Sequence, residues 1–284
     1  MTSISKWVAG ARPRTLVAAI APVMVATAFA GSQWSPWRAL LALIVSLALQ
    51  IGVNYANDYS DGIRGTDDSR IGPMRLTASG LATPAAVKAA AAISFLIAAF
   101  AGLALASLTT WWLILVGALS INAAWGYTGG NKPYGYKGLG EVAVFLFFGV
   151  VATVGSYFAQ TEKINLLVFI ISIPMGALAC AILAINNLRD RAQDEIVGKK
   201  TVAVRLGDTG ARRLYIALLL LAHLFALFTF EPGALLTLLA APLTWNLARG
   251  VTSGVQGADL IPYLAKTGKL QLAFALLFAL GLII

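Results

Sequence analysis

Two stretches of the chain place carboxylate and carboxamide side chains at the spacing of one helical face. Each contains three such residues: Asn57, Asp58 and Asp61 in the first, and Asn186, Asp190 and Asp194 in the second. Residues four apart lie on the same side of a helix, so each stretch can present several oxygen atoms in one direction. Ligands of this kind suit Mg²⁺ bound together with substrate phosphates. The two stretches therefore predict two halves of one magnesium site.

Both stretches follow an apolar run that is long enough to cross most of a bilayer, Ala39–Asn57 and Leu166–Asn187. Simple helix capping is the weaker explanation, because carboxylates favour helix N-termini and both groups stand at C-terminal ends. A calcium loop of the EF-hand type is also a poor match. In such a loop beginning at Asp58, Ser60 and Gly62 would occupy positions that supply ligands.

The elements that position these residues are predicted to be membrane helices. Of the 284 residues, 59% are hydrophobic and 12% are charged, whereas a soluble domain carries about 25% charged residues. Apolar runs predict an all-α integral membrane protein with about nine transmembrane helices: Thr15–Gly31, Ala39–Asn57, Ala85–Ala106, Trp111–Tyr127, Val142–Ala159, Leu166–Asn187, Leu214–Phe230, Ala234–Leu247 and Leu270–Ile284. Several runs are shorter than the ~20 residues of a perpendicular span, so their ends must continue into the interface.

The positions of lysine and arginine predict the orientation of these helices. With the N-terminus in the cytoplasm, every Lys and Arg except Arg38 and Lys163 falls in an inner segment, as the positive-inside rule requires. The C-terminus is then outside, and both acidic stretches face the cytoplasm from the cell (plasma) membrane. The net charge of +9 is explained by inner loops beside anionic lipid, and no nucleic-acid partner is expected.

An inner loop over residues 126–141 combines aromatic, glycine and lysine residues, among them Tyr127, Lys132, Tyr134 and Tyr136. One interpretation is an interfacial belt of tyrosine with turn-forming residues. The other is a lid that offers cations to an anion and aromatic ring faces to a cation. The sequence leaves both interpretations open.

These motifs resemble those of the UbiA superfamily of intramembrane aromatic prenyltransferases. The matching segments are Asn57-Asp58-x-x-Asp61, Asp190-x-x-x-Asp194 and the following Gly198-Lys199-x-Thr201. Residues 12–16, 57–67, 72–76 and 198–207 resemble more closely the branch whose aromatic acceptor is 1,4-dihydroxy-2-naphthoate, in menaquinone synthesis. One position departs from the pattern. Where the first motif of the superfamily usually has a further Asp, this chain has Gly65, and we expect Asp67, with Asp68 as the other option, to supply the missing carboxylate.

The resemblance implies a UbiA-like helical bundle forming a single domain over residues 1–284, with a pseudo-repeat of motifs at 54–68 and 186–201. It implies two substrates, a polyprenyl diphosphate and an aromatic acid. The long polyprenyl group would be joined to 1,4-dihydroxy-2-naphthoate with loss of the carboxylate and release of diphosphate, giving demethylmenaquinol. The prenyl tail would lie between helices and open to the lipid bilayer.

The resemblance and the residue types together assign the site residues in three groups. The metal ligands, with Mg²⁺ as cofactor, are Asn57, Asp61, Asp67, Asp190 and Asp194. The cations for the diphosphate are Arg64, Lys132 and Lys199, with Arg189 and Arg205 as weaker candidates. The residues of the substrate and cation pocket are Asn54, Asp58, Tyr127, Tyr134, Tyr136, Asn186 and Asn187.

Two alternatives remain. A sister prenyltransferase would use another acceptor, such as 4-hydroxybenzoate, homogentisate, haem or a sugar phosphate. A secondary transporter also combines repeated halves with intramembrane acids, but its coupling carboxylates usually lie near the bilayer midplane. Prenyl chain length and oligomeric state cannot be derived from the sequence.

Overall fold

The computed structural model describes residues 3–66, 72 and 74–284, and within these ranges every regular element is helical. We number ten helices in chain order: α1 Ser3–Ala11, α2 Val17–Phe29, α3 Pro36–Ile63, α4 Pro84–Ser107, α5 Trp112–Gly126, α6 Gly140–Thr161, α7 Leu166–Ile196, α8 Val202–Leu227, α9 Pro232–Thr252 and α10 Gly257–Ile283. The prediction of an all-α membrane protein is confirmed.

Seven of these helices, α3, α4 and α6 to α10, are long and apolar enough to cross a membrane by themselves. The segment that ends at Thr15 and helix α2 pass the same test together, although they are bent by 53° at the break between them. Helix α5 is apolar but shorter. Each of the nine predicted apolar runs thus coincides with a helix among the described residues, while the number of actual crossings and the orientation of the termini stay predictions.

Local sequence signals explain where several helices begin. Pro36 and Pro84 stand at the first positions of α3 and α4, where a missing backbone N–H costs nothing and the fixed φ suits a helix. Asn165 caps α7, because its side-chain oxygen accepts the backbone N–H of Val168 at 2.9 Å. Such caps satisfy one of the backbone donors that a helix start leaves without a partner.

Helix α7 is the central element of the bundle. Of its most apolar window 67% is buried, more than in any other candidate span of the described structure. It packs along α8 and also contacts α2, α6 and α10, while α3 packs along α4. The two acidic stretches therefore arrive on helices that belong to different packed pairs.

Helices α6 and α7 come unusually close at a pair of glycines. A Cβ atom added to Gly149 would lie 2.6 Å from the Cα atom of Gly176, closer than real side chains approach. Gly149 belongs to a wider π-helical turn within α6, Phe145–Val151. The two backbones can meet because neither residue carries a side chain at this point, as is common where membrane helices cross.

Candidate functional site

A cavity of about 990 Å³ runs between the helices and joins a polar end to an apolar chamber. Both acidic stretches reach its polar end, together with residues of the loop that follows α5. The apolar chamber is lined from α3, α4, α5 and α6, for example by Leu49, Gly102, Gly117, Phe147 and Val151. A cavity of this shape suits a long molecule with one charged end and one apolar end.

The acidic side chains reach the cavity because α3 and α7 continue beyond their apolar parts. Helix α3 ends at Ile63 and helix α7 at Ile196, so the helical spacing predicted for both stretches is confirmed. The cavity-lining residues from these stretches are Asn54, Asn57 and Asp61 on α3, and Asn186, Asn187, Asp190 and Asp194 on α7. The structure thus brings the two stretches together at one wall, as the sequence predicts.

Asp61 is buried and both of its carboxylate oxygens are engaged. The Tyr136 hydroxyl donates to Oδ1 at 2.6 Å, and Lys199 Nζ donates to Oδ2 at 3.0 Å. The pKa of Tyr136 is raised, mainly by burial and secondly by the nearby Asp61 carboxylate. The phenol therefore stays protonated and can donate a hydrogen bond. Burial opposes the charged form of Lys199, but the carboxylates of Asp61 and Asp194 and the Tyr136 ring outweigh it, and the pKa of Lys199 is raised.

Asp190 is engaged in the same way on the opposite helix. Its neighbour Arg189 donates from Nε to Oδ1 and from Nη2 to Oδ2, both at 2.7 Å. Arg189 Nη2 also donates to Asn186 Oδ1 at 2.9 Å. The remaining nitrogen, Arg189 Nη1, is buried and has no hydrogen-bond partner. The Arg189 guanidinium therefore holds Asn186 and Asp190 in place, and one of its nitrogens is left without a hydrogen-bond partner.

The oxygen donors at this wall fit a magnesium ion by type. Asn57, Asp61, Asp190 and Asp194 supply carboxylates and amides at the same end of the cavity, and hard oxygen ligands of this kind are those that Mg²⁺ takes. Within the described ranges, however, no three acidic, histidine or cysteine side chains converge closely enough to hold a metal as they stand. The predicted ligand Asp67, and Asp68 beside it, lie outside the described residues.

The assignment of Asp58 to the substrate pocket is wrong. Its side chain is fully buried and does not line the cavity. Its two oxygens accept the backbone N–H groups of Leu76, at 2.8 Å, and Thr77, at 2.9 Å. Asp58 is three residues from Asp61, which is near enough to share a helical face, but it is turned far enough round the helix to anchor the returning chain instead.

The assignment of Arg64 and Lys132 to the diphosphate also needs correction, because neither side chain lines the cavity. Lys132 is exposed. Arg64 donates to the backbone oxygens of Thr128 and Gly130, and Thr128 in turn donates from Oγ1 to Asn57 Oδ1 at 2.7 Å. Arg64 therefore links the end of α3 to the loop after α5, and through Thr128 it helps to position Asn57.

The loop between α5 and α6 forms part of the cavity wall, which favours the interpretation as a lid. Tyr127, Tyr134 and Tyr136 all line the cavity. The Tyr127 and Tyr134 rings meet edge to face, with centroids 5.5 Å apart. Burial raises the pKa of Tyr134 to about 12, and its hydroxyl donates to the backbone oxygen of Ala123 at 2.7 Å. These contacts hold aromatic rings at the polar end of the cavity.

Three residues of this end were missed or underrated from the sequence. Arg75 is buried and lines the cavity; it stands within residues 72–76, which carry part of the resemblance, but no role was assigned to it. Arg189 was rated below Arg64 and Lys132, although its position next to Asp190 was a signal in its favour. Glu141 accepts from Asn187 Nδ2 at 3.0 Å, and its second oxygen is buried without a partner. No spacing rule pointed to that carboxylate.

The fold and the site together define a class: a helical membrane protein with an internal cavity that carries acidic and basic side chains at one end and an apolar chamber beyond it. The chain belongs to the UbiA prenyltransferase family, whose family model matches residues 19–257.

Several bacterial relatives match this chain over almost their whole length. It is 51% identical to the 1,4-dihydroxy-2-naphthoate octaprenyltransferase of Mycobacterium tuberculosis, covering 98% of this chain and 97% of that protein. It is 41% identical to the protein of the same name from Escherichia coli, covering 97% and 94%. Among solved structures, a UbiA homologue of Archaeoglobus fulgidus bound to GPP and Mg²⁺ superposes with a TM-score of 0.70 at 15% identity, covering 98% of this chain and 99% of that one. That likeness shows a shared fold.

Proposed function

We propose that this protein transfers a long polyprenyl group from polyprenyl diphosphate to 1,4-dihydroxy-2-naphthoate, with loss of the carboxylate and release of diphosphate, giving demethylmenaquinol. The observation that carries this proposal is the 51% identity, over 98% of the chain, to a relative named for that reaction. The cavity supports it independently, because one charged end and one long apolar chamber match the two parts of a prenyl diphosphate.

Mg²⁺ is the proposed cofactor, with Asn57, Asp61, Asp190 and Asp194 as its ligands and Asp67 as a further candidate. When bound, Mg²⁺ neutralises the diphosphate and makes it a better leaving group. The chain's own contribution is to hold these oxygens on two helices that meet at one cavity wall. The glycine contact between α6 and α7 and the packing of α3 on α4 keep that wall in place.

The cations proposed for the diphosphate are Lys199, Arg189 and Arg75. Lys199 and Arg75 line the cavity. Arg189 does not line it, but it holds Asp190, which does, and its Nη1 is buried without a hydrogen-bond partner. Charge-assisted hydrogen bonds from such groups stabilise the negative charge that grows as the bond to the prenyl group breaks. Lys132 is not included because its side chain is exposed and away from the cavity.

The allylic part of the substrate would lie beneath the lid, against the rings of Tyr127 and Tyr134. Aromatic faces attract a developing carbocation, and burial of these tyrosines excludes water that would capture it. The rest of the prenyl tail would follow the apolar chamber past Gly102 and Gly117, which add no side chain to its wall.

The acceptor is an anion as well, and Arg12 is the proposed contact for its carboxylate. Arg12 stands at the break between α1 and α2 in a left-handed conformation (φ 53°). It lines the cavity and donates to the backbone oxygen of Asn54 at 3.3 Å. Non-glycine residues in that conformation tend to mark functional sites. Sister reactions with 4-hydroxybenzoate or homogentisate remain the alternatives, whereas the family and the position of the acids at one end of the cavity do not favour a transporter.

The protein is a multi-pass membrane protein. We propose that it lies in the plasma membrane with the polar end of the cavity toward the cytoplasm, in keeping with the distribution of lysine and arginine. The single-domain organisation with two related motifs is likewise proposed.

The test is transfer by the purified protein in nanodiscs, with Mg²⁺ and geranylgeranyl diphosphate against a panel of acceptors. Product mass and released pyrophosphate are both measured, with Asp61→Asn as the inactive control. The proposal expects prenylated, decarboxylated product from 1,4-dihydroxy-2-naphthoate and little from 4-hydroxybenzoate or homogentisate. Preferred use of another acceptor would assign the protein to a sister reaction.

A further inference from the structure

One carboxylate in each acidic stretch already accepts hydrogen bonds from the protein's own groups on both of its oxygens. One oxygen of Asp61 accepts a hydrogen bond from the Tyr136 hydroxyl, and the other accepts one from Lys199 Nζ. The two oxygens of Asp190 accept hydrogen bonds from two nitrogens of Arg189. Each oxygen has a second lone pair, but the positive charge of Lys199 or Arg189 on the same carboxylate makes it a weaker ligand for a free metal ion. No group of three acidic, histidine or cysteine side chains converges among the described residues.

The charge balance of the described cavity wall points the same way. Three carboxylates line it, Asp61, Asp190 and Asp194, against four cationic side chains, Arg12, Arg14, Arg75 and Lys199. Arg14 is exposed, but the described carboxylates of the wall are still matched by as many cationic side chains, so a divalent cation arriving alone would add two unbalanced positive charges. A divalent cation arriving with a diphosphate adds no positive charge overall.

We infer that Lys199 and Arg189 keep the two acidic stretches closed to a free divalent cation, and that a diphosphate opens them by drawing these two cations onto itself. This inference rests on the proposed diphosphate chemistry and adds an order to it: metal and diphosphate bind together, and metal does not bind first.

The side chains of Lys199 and Arg189 support such an exchange of a carboxylate for a phosphate. Lys199 follows the end of α7, and its side chain is 11% exposed, with Nζ at the cavity wall. A lysine stem has several rotatable bonds, so Nζ can leave Asp61 for a nearby phosphate oxygen without movement of the helix. Arg189 does not itself line the cavity, but it holds Asp190, which does, and its Nη1 is buried without a hydrogen-bond partner. Rotation of its planar group would move it from that carboxylate toward a phosphate bound beside Asp190.

Thermodynamic linkage makes the inference measurable. If diphosphate raises the affinity for the metal by some factor, the metal must raise the affinity for diphosphate by the same factor. Mn²⁺ is a suitable probe, because free aqueous Mn²⁺ is counted directly by its electron paramagnetic resonance signal. Inorganic pyrophosphate serves as the diphosphate, and its Mn²⁺ complex in solution is subtracted with a protein-free titration.

For the wild-type protein in nanodiscs, we expect pyrophosphate to tighten Mn²⁺ binding at least tenfold, with the reciprocal effect of Mn²⁺ on pyrophosphate binding. Lys199→Gln should bind Mn²⁺ without pyrophosphate at least threefold more tightly than wild type and lose most of the coupling. Lys200→Gln, at the exposed neighbouring position, is the matched control and should behave as wild type. Thermal unfolding confirms that each variant is folded, and the wild-type titration decides the main point even if Lys199→Gln is not.

Equal Mn²⁺ affinity with and without pyrophosphate in an active wild-type enzyme would overturn the inference and leave the proposed function intact. Weaker metal binding by folded Lys199→Gln would also overturn it, since Lys199 would then be helping the metal site. Conversely, strong coupling in a protein that prenylates no acceptor would uphold the binding order and refute the proposed function.

Discussion

The Asp58 carboxylate accepts a hydrogen bond of 2.8 Å from the backbone N–H of Leu76, eighteen residues further along the chain. A second bond to Thr77, at 2.9 Å, completes the anchor. Only three residues further along α3, Asp61 faces the cavity. Neighbouring carboxylates in one motif thus do different work, one in folding and one in the site.

This difference predicts opposite effects on stability and on activity for substitutions at the two positions. Asp58→Ala leaves two backbone donors without their charged acceptor and should lower the stability by about 2 kcal/mol or more. Activity per folded molecule and the Mg²⁺ requirement should stay close to wild type. Asp61→Asn should reduce turnover by about a hundredfold or more, since it removes a proposed metal ligand. Thermal unfolding and initial rates across a Mg²⁺ titration measure both; a changed Mg²⁺ requirement in Asp58→Ala would contradict the assignment.

The buried cation that holds the second acidic stretch can be distinguished from an exposed cation of the loop after α5. Arg189→Gln removes a buried charged donor and should raise the KM for prenyl diphosphate about tenfold or more. Lys132→Gln, on an exposed side chain, should change that KM by less than about twofold. Steady-state kinetics at saturating acceptor provide the comparison. Equal effects of the two substitutions would return Lys132 to the diphosphate site.

The close approach of α6 and α7 predicts a packing defect. In Gly149→Ala the new methyl group meets the Gly176 backbone, so the helices must separate, at a cost of about 1–3 kcal/mol. Gly155→Ala, on the same helix, is the control because nothing lies within 4 Å of its added Cβ atom. Thermal unfolding in one detergent compares the two, and a Gly149→Ala variant as stable as Gly155→Ala would show that the contact tolerates a side chain.

The apolar chamber predicts a dependence on prenyl length. Gly117 lies on α5 nine residues before Gly126, a distance of about 13 Å along the helix axis. Gly117→Leu should therefore obstruct a long tail while sparing a short one. We expect the ratio of kcat/KM for a long-chain diphosphate to that for geranyl diphosphate to fall at least about tenfold. A parallel loss for both lengths would place the tail elsewhere.

The orientation of the chain is tested by thiol labelling in a Cys180→Ser background. Cysteine at Lys163, in the exposed turn between α6 and α7, should react with an impermeant reagent added to intact cells. Cysteine at Lys132, in the exposed loop after α5, should react only after the cells are opened. Labelling of both from outside would overturn the predicted topology.

The sequence by itself determined the features that depend on local pattern. Apolar runs predicted the membrane helices because the bilayer requires length and hydrophobicity from each segment separately. The spacing of Asn57 and Asp61, and of Asp190 and Asp194, followed from helical periodicity, and it survived because both helices run past their apolar parts.

Only the tertiary structure decided which of the polar residues serve the cavity. Whether Asp58 or Asp61 faces inward depends on where residues 76 and 77 return to the helix, and no local spacing contains that information. The same is true of the cations. Lys132 is in the most suggestive loop yet points away, whereas Lys199 meets Asp61 from 138 residues further along the chain. Such pairs are fixed by the packing of distant helices, and electrostatic attraction then selects the partner that packing has brought within reach.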